Sequence, residues 1–371
     1  MLVSENYSSR TQNMHELSVL QKKVNRKLRP SDVAPLVRTA ITNGYDVGTD
    51  PNYQSIFNAL IDEFIDRSDA YSDHTIRRLA SAWKKFVTWC TDNKHCALPS
   101  SPDTVESFLI AVSSTRHRNT IKVYLWSISK MHSIVGCPDP CDDLYVKTRK
   151  TGIEKRKIAR GEEIKQATPF RLEHLNKITS MWEKSSSLKI ARDLSLLHLA
   201  YESLLRESEI TRIQIKDITF RSDGKSIINV PYTKNNKSGD PESILLSKIA
   251  TMHLKNYIKA ANVDTSTTNY LYRSFRKGDT ISTYVSESRS PAHITAKTVE
   301  RIFNTASAVL QIQGRPFTGH SARVGAAQDL AENGYSTLRI QLSGRWKDTK
   351  MVALYCRNIL ASENAMAHFR E

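Results

Sequence analysis

The sequence has few cysteines and no long apolar run. Five of its 371 residues are cysteines, and an odd number in a large chain argues against a disulfide framework. Two of them, Cys137 and Cys141, lie in a CPDPC segment without a second pair of metal ligands nearby, which favours a turn over a zinc site. No run approaches the roughly 18 apolar residues of a membrane span, and the polar start MLVSENYSSR has no apolar signal core. We therefore expect a cytoplasmic protein that binds no metal and does not attach to a membrane.

Acidic residues are also in short supply. The chain has 38 Asp and Glu against 54 Lys and Arg, which gives a formal net charge of +16. Such an excess favours a polyanion as partner, although a merely basic soluble protein would carry the same charge. The basic residues do not lie opposite one broad apolar stripe, which argues against a helix on a membrane surface.

Residues 1–67 form a polar N-terminal extension that we expect to be helical. The segment LRPSDVAPLVRTAITNG predicts a helix that begins at a Ser31 cap and ends at Gly44. The segment NYQSIFNALIDEFI predicts a second helix. No residue of this extension suggests a chemical function, so its role stays open.

Residues 68–160 predict a four-helix domain. Its first helix begins at a Ser72 cap, its second at Ser101 or Asp103, and its third ends at Gly136. Each of these helices alternates apolar and polar positions at the helical period, so each has one face that must be buried.

The polar faces of this domain are basic. Its last segment, residues 144–160, has seven Lys or Arg and a single acid, Glu154. A run of charge usually marks a solvated face, but basic edges on the other helices favour a surface that follows phosphates. The candidates for such contacts are Arg77, Lys84, Arg118, Lys122, Arg149 and Lys150.

A second domain is expected over residues 161–371. It begins with a polar connector, GEEIKQATPF, and the sequence places the domain boundary near residue 165. Its richly apolar helix, LKIARDLSLLHLAYESLL, predicts the core. The short runs DITF, SIINVPYT and ESILLS, separated by turn residues, predict a small antiparallel sheet. Pro231 in the middle run has no backbone N–H, which implies a position where the sheet needs no hydrogen bond from that residue. The fold class is mainly α with a small antiparallel β-sheet.

The segment FTGHSARVGAA places His320 and Arg323 three residues apart among small side chains. On a helix these two residues share a face, and small neighbours allow another backbone or a ligand to come close. The pattern is compatible with an anion pocket. It is equally compatible with an ordinary helix that is capped by Ser321 and ended by Gly334.

Four further residue types in this domain suit phosphate chemistry, although packing could explain each one alone. Arg206 follows two core leucines and needs a partner, either a neighbouring glutamate or an external anion. Lys234 lies on a predicted turn, where a lysine is usually solvated. Trp346 could fill the core, and Tyr355 could be an aromatic on a helix face.

Taken in order, the arginine, lysine, His-x-x-Arg, tryptophan and tyrosine resemble the tyrosine recombinases. GHSARVGAA, with LLRESEI upstream and GRW nine residues before the tyrosine, is especially similar to the Cre-type members, and SENAMAHF is similar to their C-terminal helix. The resemblance covers roughly residues 70–371 and leaves residues 1–67 unexplained. It implies a two-domain clamp around DNA, with residues 68–160 as the core-binding domain and 161–371 as the catalytic domain.

The resemblance also implies roles for the site residues. Tyr355 would attack a scissile phosphate and form a 3′-phosphotyrosine link. Arg206 and Arg323 would grip the non-bridging oxygens, because guanidinium groups suit bidentate hydrogen bonds to phosphate. The indole N–H of Trp346 would donate to another phosphate oxygen. His320 would either donate to phosphate or help to remove the tyrosine proton.

Three further positions follow from the same resemblance. Lys234 would be the general acid for the leaving 5′-oxygen, and Glu209 would orient the arginine or the histidine. The segment ITAKTVERIF would enter the major groove, where Lys297 would contact either a base or a phosphate and Glu300 would lie beside the backbone. No cofactor, ATP or metal is expected, because arginines supply the charge.

The implied partner is double-stranded DNA with inverted-repeat arms around a short spacer. Four protomers would join two duplexes through exchanged C-terminal helices and a Holliday junction, in the nucleoid or on a plasmid of a prokaryote. Two rivals remain open at this point: a monomeric type IB topoisomerase-like enzyme, and a DNA-binding regulator that kept the fold without the chemistry.

Overall fold

The computed structural model describes residues 28–230, 242–262, 270–276, 279–281, 293–362 and 369. It divides into two compact units, Met1–Ile164 and Lys165–Glu371. The boundary lies within the polar connector expected near residue 165. No helix of the described residues is long and apolar enough to cross a membrane.

The described part of the first unit is entirely helical. Its helices are α1 (Pro30–Thr42), α2 (Pro51–Asp66), α3 (Asp73–Asp92), α4 (Pro102–Ser113), α5 (Arg118–Val135) and α6 (Leu144–Ala159). The hydroxyls of Ser72 and Ser101 accept backbone N–H groups and cap α3 and α4, as the sequence predicts. Gly136 ends α5 with a left-handed φ of 74°, which glycine adopts without strain.

Helices α1 and α2 share a core with α5, so the described part of the N-terminal extension belongs to the first unit. Val37 of α1 and Phe57 of α2 are buried in one cluster with Val135 of α5. The predicted Ser31 cap is wrong, because the helix begins at Pro30 and its N-cap residue is Arg29, two residues earlier. A proline at the first helical position has its φ preset for the helix and needs no partner for a backbone N–H.

The second unit surrounds a small sheet with helices, which confirms the mainly α class. Its described elements are α7 (Leu172–Trp182), α8 (Leu188–Ser203), α9 (Glu207–Ile210), β1 (Ile218–Phe220), β2 (Ser226–Val230), β3 (Glu242–Leu246), α10 (Lys248–Ala260), α11 (Ala296–Val309), α12 (Ser321–Glu332), α13 (Thr337–Gly344) and α14 (Lys350–Ser362). The strands are antiparallel in the order β1-β2-β3, and Ile228 of β2 lies opposite Ile218 and Ile244. Pro231 lies outside the described residues.

Helix α8 is the centre of the second unit, as its apolar sequence predicts. Leu196, Leu197 and Leu199 are buried in the main core cluster of this unit. The helix ends at Leu204, whose φ of 49° is left-handed. This sharp end reverses the chain and brings Arg206 to the start of α9.

Candidate active site

Tyr355 and His320 are in direct contact. Tyr355 lies on α14, and its phenol oxygen is 2.7 Å from Nε2 of His320 at the start of α12. Burial lowers the pKa of His320 to about 4, and the charges of Arg323 and Arg206 add to this effect. The imidazole is therefore neutral at pH 7 and can accept a proton. Burial raises the pKa of Tyr355, and the same two arginines oppose that rise.

The helix that carries His320 and Arg323 begins differently from the predicted capped start. His320 precedes the first helical residue, and the Ser321 hydroxyl accepts from the backbone N–H of Thr318 at 2.9 Å instead of capping the helix. The prediction of Ser321 as the cap is therefore wrong. Gly334 follows the helix end with a left-handed φ of 74°.

Arg323 is almost fully buried between two backbone segments. Its Nη1 donates to the carbonyl of Leu204, and its Nη2 donates to the carbonyl of Gly344 at 2.9 Å. Its guanidinium carbon lies 5.0 Å from the ring centroid of Trp346, close enough for a cation–π contact. The Nε–H has no acceptor among the described residues. Burial lowers the pKa of Arg323 to about 10, with Arg206 as a further cause, so the group stays charged at pH 7.

Arg206 pairs with Glu209 at the start of α9. Its Nη1 lies 2.7 Å from Oε1 of Glu209, and its backbone N–H donates to Oε2 at 2.8 Å. The glutamate is buried, whereas the arginine side chain is partly exposed. Glu207, the other candidate partner, packs against Gly319 instead, where a Cβ would overlap its carboxylate.

The small residues near the site allow close packing. A Cβ at Gly325 would overlap the carbonyl oxygen of Phe170, and a Cβ at Gly344 would overlap the ring of Trp346. Trp346 in turn packs against the ring of Tyr355, with a centroid distance of 5.4 Å. Gly325 of the GHSARVGAA segment thus allows the backbone of Phe170 to come close, as expected from the small side chains of this segment.

The structure brings together six of the seven predicted catalytic residues, and the seventh cannot be placed. Arg206 and Glu209 form one ion pair, His320 contacts Tyr355, and Arg323 and Trp346 stack beside them. Lys234 lies outside the described residues. No cluster of His, Cys, Asp and Glu among the described residues could hold a metal ion.

Three residues near this site were missed by the sequence reasoning. The side-chain amides of Gln166 and Gln328 both donate to the carbonyl oxygen of Tyr355, at 3.1 and 2.9 Å. Arg345 inserts its guanidinium between β3 and the end of α8. No local pattern marks these residues, because each contact joins distant parts of the chain.

The predicted major-groove residues lie on α11. Lys297 and Glu300 are both exposed, on the first two turns of this helix. The carboxylate of Glu300 adds to the burial that raises the pKa of Glu207. This electrostatic influence indicates that Glu300 of α11 lies near the start of α9.

Four of the six basic candidates in the first unit are held in ion pairs. Arg118 and Arg149 lie 3.3 and 2.7 Å from Glu162 and Glu106. Lys122 and Lys150 lie 3.7 and 4.0 Å from one carboxylate, that of Glu154. These four side chains are thus partly committed to the fold of their own unit.

Arg77 lines a groove of about 690 Å³ in the first unit, whereas Lys84 is exposed on the same helix, α3. The groove runs between α3 and the start of α5. Its basic and amide lining is His74, Arg77, Arg78, Lys85, Arg116 and Asn119. Only Arg77 of this lining was a predicted DNA contact, although the helical period of α3 also places Arg78 and Lys85 on its basic edge.

Sequence relatives of this chain are recombinases. Residues 168–360 match the phage integrase family. Over 320 residues the chain is 30% identical to the recombinase Cre of Escherichia phage P1, covering 84% of this chain and 92% of that protein. It is 25% identical over 293 residues to an integrase/recombinase XerD homologue of Selenomonas ruminantium, covering 76% of this chain and 81% of that one.

Solved structures share the fold. The XerH site-specific recombinase bound to its difH substrate is 14% identical, with a TM-score of 0.52 over 91% of this chain and 84% of that one. The Tn1549 transposon integrase in complex with transposon right end DNA is 11% identical, with a TM-score of 0.53 over 84% of this chain and 99% of that one. The resemblance seen in the sequence is confirmed. The chain belongs to the phage integrase family of tyrosine recombinases, which cleave and rejoin DNA strands.

Proposed function

We propose that Tyr355 is the nucleophile of this recombinase. The observation that carries this proposal is the 2.7 Å contact between its phenol oxygen and Nε2 of a neutral His320. A phenol with a raised pKa is a poor nucleophile until a base removes its proton, and a neutral imidazole within hydrogen-bond distance is such a base. Attack on the scissile phosphorus forms a 3′-phosphotyrosine bond and expels the 5′-oxygen of the next nucleotide.

Two guanidinium groups stabilise the charge that develops on the phosphate. The Nε–H of Arg323 has no acceptor among the described residues, so it is available to a non-bridging oxygen. Arg206 is partly exposed and can turn toward a phosphate while Glu209 holds its other side. The indole N–H of Trp346 supplies a further donor. Fixed donors of this kind contribute strongly to catalysis because they need no reorganisation during the reaction.

Lys234 completes the proposed site as the general acid that protonates the leaving 5′-oxygen. This role comes from the resemblance of the sequence to the family, since Lys234 lies outside the described residues. The phosphotyrosine bond conserves the energy of the phosphodiester, so strand rejoining needs no ATP. The arginines supply positive charge at the phosphate, so the proposed reaction uses no metal or other cofactor.

The DNA partner is a duplex with inverted-repeat arms around a short spacer. On the second unit, Lys297 and Glu300 would face the major groove from α11. On the first unit, the basic groove that includes Arg77 would follow the phosphates, with the remaining candidates at its margins. We propose that four protomers exchange C-terminal helices on two duplexes and pass through a Holliday junction. Two relatives support a DNA partner, because their structures were solved with DNA.

Trapping the covalent intermediate tests the proposed nucleophile. We expect the wild type to form a denaturation-resistant adduct on a nicked DNA site, from which the short fragment that carries the released 5′-hydroxyl diffuses away. Tyr355→Phe should bind the same DNA equally well without forming the adduct. Tyr335→Phe is the matched control, because Tyr335 is an exposed tyrosine of the same unit, and this variant should retain full activity.

Two results would contradict the proposal. An adduct in the Tyr355→Phe variant would assign the chemistry to another residue. Adduct formation at equal rates on DNA of any sequence, by a protein that stays monomeric, would indicate a topoisomerase-like enzyme instead of a site-specific recombinase.

A further inference from the structure

Arg345 occupies a backbone position that normally favours glycine. It follows α13 with φ 51° and ψ 42°, the left-handed region, which a side chain with a Cβ rarely adopts. Its side chain is only 15% exposed, and burial lowers the pKa of its guanidinium. The chain therefore carries both a strained backbone and a buried charge at this residue, directly before Trp346.

The guanidinium of Arg345 joins three segments of the second unit. Its Nε lies 3.1 Å from Oε2 of Glu242, the first residue of β3. Its Nη2 donates to the carbonyl of Ser203 at 2.9 Å, and its Nη1 donates to the carbonyl of Ser343 at 3.3 Å. Because both terminal nitrogens donate to carbonyls and Nε lies in an ion pair, Arg345 is placed to hold the fold rather than to bind phosphate itself.

The contact with Ser203 lies at the turn that presents Arg206. Leu204 in this turn is left-handed, and its carbonyl accepts from Arg323. Two arginines thus hold consecutive carbonyls of one turn, Arg345 at Ser203 and Arg323 at Leu204. The direction in which the chain leaves α8, and with it the position of Arg206, depends on both contacts.

Arg345 also lies in the field of the carboxylate that holds Arg206. Burial lowers the pKa of Arg345. The carboxylates of Glu209 and Glu242 oppose this shift, and the charge of Arg206 adds to it. A buried carboxylate needs a nearby cation. When Arg206 shares its hydrogen bonds with a phosphate, Arg345 remains as a second cation that balances the charge of Glu209.

We propose that Arg345 is a positioning residue for Arg206: it fixes the Ser203–Arg206 turn and balances Glu209, so that Arg206 is free to grip the scissile phosphate. This inference rests on the proposed role of Arg206 in gripping a non-bridging oxygen. It assigns a function to a residue that contacts no substrate atom, and it explains why the chain keeps a strained arginine beside the site.

A DNA substrate with an uncharged scissile group tests whether Arg345 acts through Arg206. A methylphosphonate replaces one charged non-bridging oxygen with a methyl group, so an arginine that stabilises that charge becomes less important. On ordinary phosphate at saturating DNA, we expect Arg345→Gly to slow single-turnover adduct formation by about 10- to 100-fold, because small misplacements of catalytic groups cost this much. On the methylphosphonate, the ratio of wild-type to variant rate should fall to within a few-fold of one.

Three variants make the outcome specific. Arg206→Ala should show the same dependence on substrate as Arg345→Gly. Arg345→Lys keeps the charge without the three-way contact, so it should also be slow, and it serves as the second variant if the glycine variant does not fold. Arg221→Gly removes one positive charge from an exposed ion pair with Asp223 and should react at the wild-type rate on both substrates.

The results separate failure of the inference from failure of the proposed function. Suppose that Arg206→Ala is slow on phosphate and near the wild-type rate on methylphosphonate, as expected. If both Arg345 variants are then slowed by the same factor on the two substrates, Arg345 does not act through Arg206 and the inference is wrong. If the rate of Arg206→Ala itself falls by the same factor on the two substrates, the proposed role of Arg206 is wrong, and the inference is overturned with it.

Discussion

Gly325 is a position at which a neighbouring backbone leaves no room for a side chain. It lies inside α12, where a glycine costs helix stability relative to alanine. A Cβ there would overlap the carbonyl oxygen of Phe170, and the N–H of Phe170 donates to the carbonyl of Ser321 at 3.0 Å. The backbone before α7 thus runs directly against α12.

Replacing this glycine should therefore destabilise the protein. We expect Gly325→Ala to lower the free energy of unfolding by about 3 kcal/mol or more, because two backbones would have to separate. Gly152→Ala in α6 is the control: nothing approaches its Cβ closer than 3.4 Å, so helix propensity should stabilise that variant by about 0.5–1 kcal/mol. Urea unfolding measures both. Wild-type stability for Gly325→Ala would contradict the close approach.

At the scale of the helices, α8 and α10 bury a pair of stacked histidines. The rings of His198 and His253 lie 4.3 Å apart between centroids, and Thr179 of α7 is hydrogen-bonded to His198 at 2.9 Å. Burial lowers the pKa of His198 to about 3, and it also lowers the pKa of His253. The ring of His198 is therefore neutral in the folded protein at pH 5.5.

This pair predicts a loss of stability in mild acid. An unfolded histidine takes up a proton near pH 6.5, whereas the folded pair does not, so the unfolded state binds more protons as the pH falls below 6.5. Between pH 7.5 and 5.5 His198 should lower the free energy of unfolding by about 1 kcal/mol, and His253 should act in the same direction.

Urea unfolding at the two pH values should show that His198→Phe has a smaller loss than the wild type. His74→Phe, at an exposed position, should leave the loss unchanged. An equal loss in wild type and His198→Phe would rule out this histidine as a cause.

The elements themselves were largely predictable, because their signals are local. Ser72, Ser101 and Gly136 mark helix ends through contacts within one turn, and the three strands follow from alternating runs between turns. The start of α1 was predicted two residues late because serine is common as a helix cap and proline is common at the first helical position. The shared core of α1, α2 and α5 was not predicted, since a helical period shows which face is apolar but not which partner covers it.

The site was predictable only in part. The Arg206–Glu209 pair is an i, i+3 contact, and sequence spacing suggests it. The contact between His320 and Tyr355 was expected from the order of residue types in a known family, not from spacing. Arg345 was missed because two of its partners, Glu242 and Ser203, lie about 100 or more residues away in the sequence. Its left-handed backbone also contradicts the usual preference for glycine.

At the scale of the whole molecule, the charge of +16 predicts binding to DNA that depends steeply on salt. A protein that neutralises 6 to 10 phosphates should lose about 10³- to 10⁵-fold in affinity between 50 and 200 mM salt, because bound counterions are released. Titration of a labelled DNA site at several salt concentrations measures the slope. A flat response would contradict an extended phosphate contact.

Arginine variants of the first unit should change the salt dependence of DNA binding to different degrees, according to whether the arginine is held in an ion pair. Arg78→Ala and Arg116→Ala, in the groove lining, should each reduce the salt slope by about one. Arg149→Ala should reduce it less, because that side chain is already paired with Glu106.

The hydrogen bond from Gln166 to the carbonyl of Tyr355 bears on how the enzyme can be divided for study. Gln166 is the second residue of the second unit, and it precedes the segment that matches the family. A fragment trimmed to start at residue 168 would keep every proposed catalytic side chain and still lose one of the two amides that anchor the nucleophile's helix. A catalytic fragment that is meant to cut DNA should therefore begin upstream of Gln166.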